Sequence, residues 1–104
     1  MVKQTKNPRE IRNTPRWKKL SLYVRKRHPF CYDPFDRHSA TLCDDVHHII
    51  PLATDPSKAY EKRNLVPLCR ACHAEVEQLE RAYGETSFLF DMGVSSSLEA
   101  KQPN

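Results

Sequence analysis

Positions with helical spacing occupy two stretches of the chain, and two short apolar runs lie between them. Trp17, Leu20, Ser21 and Val24 mark one face of a helix that opens on Thr14 as N-cap, has Pro15 at its first position and runs to about Lys26. Val46 to Leu52 is short, rich in β-branched residues and bounded by Asp44-Asp45 and Pro51, which predicts a strand or extended hairpin arm. Asp55-Pro56 breaks it. Asn64-Leu65-Val66-Pro67-Leu68 is a second short piece leading into Cys69. From Arg70 to Tyr83 the helical period returns, with Ala71, Val76 and Leu79 on or near the inner side and Gly84 at the end. Residues 1–13 show no hydrophobic period and read as a flexible basic arm. A turn at His28-Pro29-Phe30 delivers Cys31, and Asp33 to Thr41 reads as a loop. The tail over 91–104, with its three consecutive serines, reads as disordered. The pattern is that of an α+β chain with one domain over 14–90.

At 104 residues and 38% hydrophobic content, the chain can fill only a small core, so something besides burial should hold it together. Cys31, Cys43, Cys69 and Cys72 are the obvious supplement. No apolar run is long enough to span a bilayer or act as a secretory signal, which leads us to expect a cytoplasmic, reducing setting without a membrane partner. There, paired thiols more often bind metal than form lasting disulfides.

The net charge of +4 is unevenly spread. Residues 1–30 hold ten Lys or Arg against the single acid Glu10, and the other 74 residues hold seven basic and twelve acidic side chains. Arg16, Lys18, Lys19, Arg25, Lys26 and Arg27 lie on or beside the first predicted helix and form a candidate DNA-phosphate surface. Charge alone would equally suit a solvated arm.

Cys69-Arg70-Ala71-Cys72 has the spacing that lets two sulfurs turn toward one tetrahedral ion. A redox pair would need a βαβ context that the chain lacks. Cys31 offers a third thiolate for a structural Zn2+. For the fourth ligand, softness favours Cys43, and His38 is the alternative. The adjacent His47 and His48 should point to opposite faces of a strand, so a shared task would require a bulge or turn. Read alone, such a pair is one packed and one exposed imidazole.

The run VHHIIPL, then NLVPLCRACH after a variable loop, resembles the ββα-metal fold of HNH endonucleases, over roughly residues 14 to 80 and including the upstream basic helix with Trp17. The resemblance implies two short strands and a helix around one catalytic divalent cation, Mg2+, Mn2+ or similar, held by His47 and His73. It implies His48 as general base and Asn64 as the residue that steadies the loop and the base. Two departures stand out. Many members carry Asp where His47 stands, which makes this metal site more neutral. The upstream zinc pair is usually a second CxxC, and here Pro34 occupies the place of its second cysteine.

The chemistry agrees with that reading. Water attacking a phosphodiester needs a base poised near neutrality, and an imidazole with an ordinary pKa of about 6.5 meets the need. A cation stabilises the negative charge that builds on the phosphate and the departing 3′ oxygen. The expected function is therefore a metal-dependent DNA endonuclease. The family resemblance also implies a phage setting, with phage packaging proteins as partners and the host cytoplasm as location. The rival reading is a non-catalytic zinc-dependent DNA-binding module, which would have no need of His47, His48, Asn64 and His73 together.

Overall fold

The computed structural model describes residues 7–90; the expectations for residues 1–6 and 91–104 lie outside this range. Five regular elements follow in order: α1 (Pro8–Arg12), α2 (Pro15–Arg27), β1 (Asp45–His48), β2 (Leu65–Leu68) and α3 (Arg70–Tyr83). Single 3-10 turns at Pro56–Lys58, Lys62–Asn64 and Ser87–Phe90 complete the set.

Helix α2 begins as its sequence dictates. The Thr14 hydroxyl accepts from the Trp17 N–H at 3.1 Å, and Pro15 gives up no bond by lacking an N–H there. Arg25, Lys26 and Arg27 occupy its last turn, where cations complement the exposed carbonyls. Helix α3 stops at Gly84, whose φ of 92° is left-handed and whose N–H donates to the Glu80 carbonyl at 2.8 Å. Its buried line is Cys72 and Val76, with Leu79 half-buried; Ala71, expected near the inner side, is exposed.

Helix α1 departs from the expected flexible arm, because one turn with a single apolar residue, Ile11, leaves no period to detect. It is built by local polar chemistry. The Asn7 side chain accepts from the Glu10 N–H at 2.9 Å while the Glu10 carboxylate accepts from the Asn7 N–H at 3.2 Å, a reciprocal capping box. Ile11 then packs with Leu52 and Ala59.

The two strands pair antiparallel, Asp45 opposite Leu68, Val46 opposite Pro67, His47 opposite Val66 and His48 opposite Leu65. Strand β1 ends at His48, earlier than expected. Beyond it the Ile49 N–H donates to the Asn64 carbonyl at 2.8 Å, and the chain turns at Pro51. One core cluster joins Val66, Leu68, Val76 and Phe90 with Cys31, Cys69 and Cys72; a second joins Val46 and Leu65 to Trp17 and Val24 of α2. The loop after α2 is pinned by a bridge between Phe30 and Leu42 and by the Tyr32 N–H donating to the Pro67 carbonyl at 2.8 Å. Cys31 is thereby brought beside the start of α3.

Candidate active site and metal centre

Two sites flank α3. At the first, Cys31 Sγ, His38 Nε2, Cys69 Sγ and Cys72 Sγ all lie within 4.8 Å of one another. His38 Nε2 is 3.6 Å from Cys72 Sγ and 3.8 Å from Cys69 Sγ. Tetrahedral zinc, with bonds of about 2.3 Å to sulfur and about 2.0 Å to nitrogen, sets its N···S edges at roughly 3.6 Å. The donor set and spacing therefore fit zinc. Burial, and then contacts with the Cys69 and Cys31 sulfurs, push the Cys72 thiol up to about 12, and burial raises Cys31 too. A divalent cation bound among these sulfurs would take the place of their protons.

The preference for Cys43 as fourth ligand is corrected by this geometry. Cys43 Sγ lies 3.7 Å from the His28 carbonyl and does not belong to the four-atom cluster; His38 does. The reason lies in the loop. Asp33 and Asp36 both adopt left-handed backbone, φ 60° and 55°, and the Asp33 carboxylate accepts from the Arg37 N–H at 2.8 Å and the His38 N–H at 3.2 Å. That tight turn folds His38 back over the cysteines. Arg37 also forks onto Glu75 of α3, at 2.5 and 2.8 Å.

The second site is a cavity of about 220 Å³ lined by His47, His48, His73, Glu77, Glu80 and Arg12, among others. No bulge is needed to bring the histidine pair to it. The strand register is unbroken, and the two rings leave opposite faces as alternation requires. His47 turns toward α3, its ring 5.1 Å from that of His73 and 5.9 Å from that of Phe90. His48 turns toward α2, its ring 4.6 Å from that of Trp17. Both border one cavity because they close the strand. Neither is exposed; each is 5% accessible.

His48 Nε2 stands 3.0 Å from the Ala59 carbonyl. A carbonyl only accepts, so Nε2 carries the proton and Nδ1 is left with a lone pair. Burial, opposed by that bond and aided by Arg12, lowers the His48 pKa to about 4, well below the near-neutral value expected from the sequence. The ring is neutral and able to accept a proton at physiological pH, but is a weaker base than an ordinary imidazole. His73 is oriented similarly. Its Nδ1 bonds Asp45 Oδ2 at 3.1 Å, and Nε2 lies 3.4 Å from Glu77 Oε2.

Asn64 lies behind these residues, 5% exposed. Its Oδ1 accepts from the Ile50 N–H at 2.7 Å, and its Nδ2 donates to the carbonyls of Ile50 at 3.2 Å and Lys58 at 3.3 Å. It thereby closes the loop that ends at Ala59, the acceptor for His48.

Of the basic residues singled out in the sequence, Arg16, Lys18, Lys19, Lys26 and Arg27 are exposed and Arg25 is partly buried. Arg16 and Lys19 border a groove of about 450 Å³ with Tyr23, Tyr60 and Lys62, in which the Arg16 guanidinium lies 3.9 Å from the Tyr60 ring centre. The sequence reading missed Arg12, Asp45, Glu77 and Glu80. The two glutamates follow His73 by four and seven positions, a helical stripe that could have been read.

A family model for the HNH endonuclease matches residues 30–78. The crystal structure of a deep-sea thermophilic bacteriophage GVE2 HNH endonuclease with manganese ion is similar to this chain, with a TM-score of 0.62 and 32% identity, over 73% of this chain and 85% of that one. No curated protein matches the chain at the sequence level. The described residues include no helix long and apolar enough to cross a membrane. With a Cys3His cluster beside two paired strands and a helix, and with that relative matched over most of its length, the chain belongs to the HNH endonuclease family.

Proposed function

We propose that this endonuclease hydrolyses DNA phosphodiester bonds with a catalytic divalent cation at His47 and His73 and with His48 as general base. The observation that carries the reading is the Nε2 bond from His48 to the Ala59 carbonyl, which leaves Nδ1 as a proton acceptor on a ring bordering the same cavity as the other two histidines. Nδ1 takes the proton of the attacking water, while Ala59 supports the charge that then develops on the ring. Asp45 on Nδ1 of His73 fixes that ring with its proton on Nδ1, so that Nε2, beside Glu77, carries the lone pair that ligates. A bound divalent cation supplies Lewis-acid stabilisation of the phosphate and the departing oxygen. Asn64 positions Ala59 and so acts through His48.

The Cys3His zinc is structural in this account, and the basic face of α2 (Arg16, Lys18, Lys19, Arg25, Lys26, Arg27) holds DNA phosphates. The domain runs over 14–90, with α1 packed against it and contributing Arg12 to the cavity. That the neighbouring structure comes from a bacteriophage, and was determined with manganese, supports the cation and a phage setting. Within that setting the role proposed is processing or packaging of phage DNA.

Plasmid nicking by zinc-loaded protein, with Mg2+ or Mn2+ withheld and then restored, tests the cation. Cleavage should appear only on addition, and His47→Ala and His73→Ala should shift activation to higher concentration. Equal cleavage without added cation would contradict the reading.

A further inference from the structure

The cavity is more acidic than its histidine pair alone suggests. Glu80 Oε2 stands 3.1 Å from His47 Nε2. That nitrogen, on a ring 5% exposed, nevertheless makes no hydrogen bond, so the carboxylate oxygen is near it but off the direction in which the ring bonds. A buried polar atom left in this way is destabilising unless a third group satisfies it. Two atoms adjacent on one six-coordinate cation, each at about 2.1 Å, stand roughly 3.0 Å apart without bonding each other. The His47–Glu80 pair has that spacing.

Glu80 is also held in place. The hydroxyl of Thr86, a fully buried residue, donates to Oε2 at 3.2 Å, which leaves further lone pairs on the carboxylate. Glu77, 3.4 Å from His73 Nε2, is about half exposed and has no such tether. Among the described residues, only the Cys3His group has all its donor atoms within 4.8 Å of one another. The cavity donors are not gathered as tightly, with the His47 and His73 rings 5.1 Å apart, so one cation would draw them together on binding.

We propose that Glu80 supplies an oxygen ligand to the cation bound by His47 and His73, making the donor set two imidazoles and a carboxylate. The proposal rests on the cation reading given above. It gives the site a negative charge that its two imidazoles do not supply. A hard oxygen donor also inclines the site toward Mg2+ and Mn2+.

The test is Mn2+ binding by zinc-loaded protein, followed through the electron paramagnetic resonance signal of free Mn2+, for the parent chain, Glu80→Gln, Glu77→Gln, His47→Ala and His73→Ala. Zinc content and melting temperature serve as folding controls. Loss of an outer-shell partner already costs about 10–100-fold in metal affinity, so Glu80→Gln should weaken binding by at least about tenfold, with Glu77→Gln affected far less. Parent-like affinity in Glu80→Gln, with His73→Ala impaired, would overturn Glu80 as ligand and leave the two-histidine site standing. Parent-like affinity in both histidine variants would overturn the cation reading and the proposal with it. If Glu80→Gln fails to fold, Glu80→Asp, which keeps the charge but withdraws it, should also bind Mn2+ more weakly; unchanged affinity would overturn the proposal.

Discussion

Asn64 grips Ile50 at both ends of its amide, accepting from the Ile50 N–H at 2.7 Å and donating to the Ile50 carbonyl at 3.2 Å. Only a side chain that both donates and accepts can do this, and the second Nδ2 bond, to Lys58, fixes the segment leading to Ala59. Asn64→Asp keeps the shape and turns a carboxylate oxygen toward two carbonyls. The expected outcome is a loss of about 1–3 kcal/mol in urea unfolding, with a fall in cleavage at least as large as that of Asn64→Ala. Parent-like stability and cleavage in Asn64→Asp would show that the amide's donors do not matter.

The zinc centre makes a second, independent prediction. The protein should hold about one tightly bound zinc per chain, and Cys69→Ser or Cys72→Ser should unfold it. His38→Ala should lose zinc and melt markedly lower, whereas Cys43→Ser should keep both near the parent values. Elemental analysis with a thermal melt decides it; the reverse order would return Cys43 to the ligand set.

Binding should depend on the exposed cations of α2. The double variant Lys18→Ala with Lys19→Ala, made in a His48→Ala background, should weaken binding to two unrelated duplexes alike. The slope of log affinity against log salt should shrink by roughly one for each phosphate that is no longer neutralised. Filter binding across a salt series measures it. An unchanged slope on both duplexes would make this helix a solvated face.

What is legible in the sequence is local. Thr14 before Pro15, and Gly84 after a helical period, mark ends whose chemistry lies within four residues, and α2 and α3 fall where these signals put them. The HNH residues themselves can be read in order from the family resemblance. What is not legible depends on distant partners or on rare backbone states. Softness favours a thiolate over an imidazole, but the two left-handed aspartates, Asp33 and Asp36, decide which donor reaches Cys69 and Cys72, and neither is a glycine that would announce such a turn. The histidine pair suggests a bulge only while strand alternation is taken without the strand's end. At its last positions, rings on opposite faces can border one cavity. Helix α1 carries its capping box in Asn7 and Glu10, but a single turn is too short for a hydrophobic period to mark it.

The central claim is that His48 is the base, and cleavage by purified His48→Ala tests it most directly. Positioned general bases contribute about 10²–10⁴-fold, so plasmid cleavage at saturating Mn2+ should fall by that range, with zinc content, melting temperature and DNA affinity near those of the parent chain. A folded, zinc-loaded His48→Ala protein that cleaves within a few-fold of the parent would contradict the account.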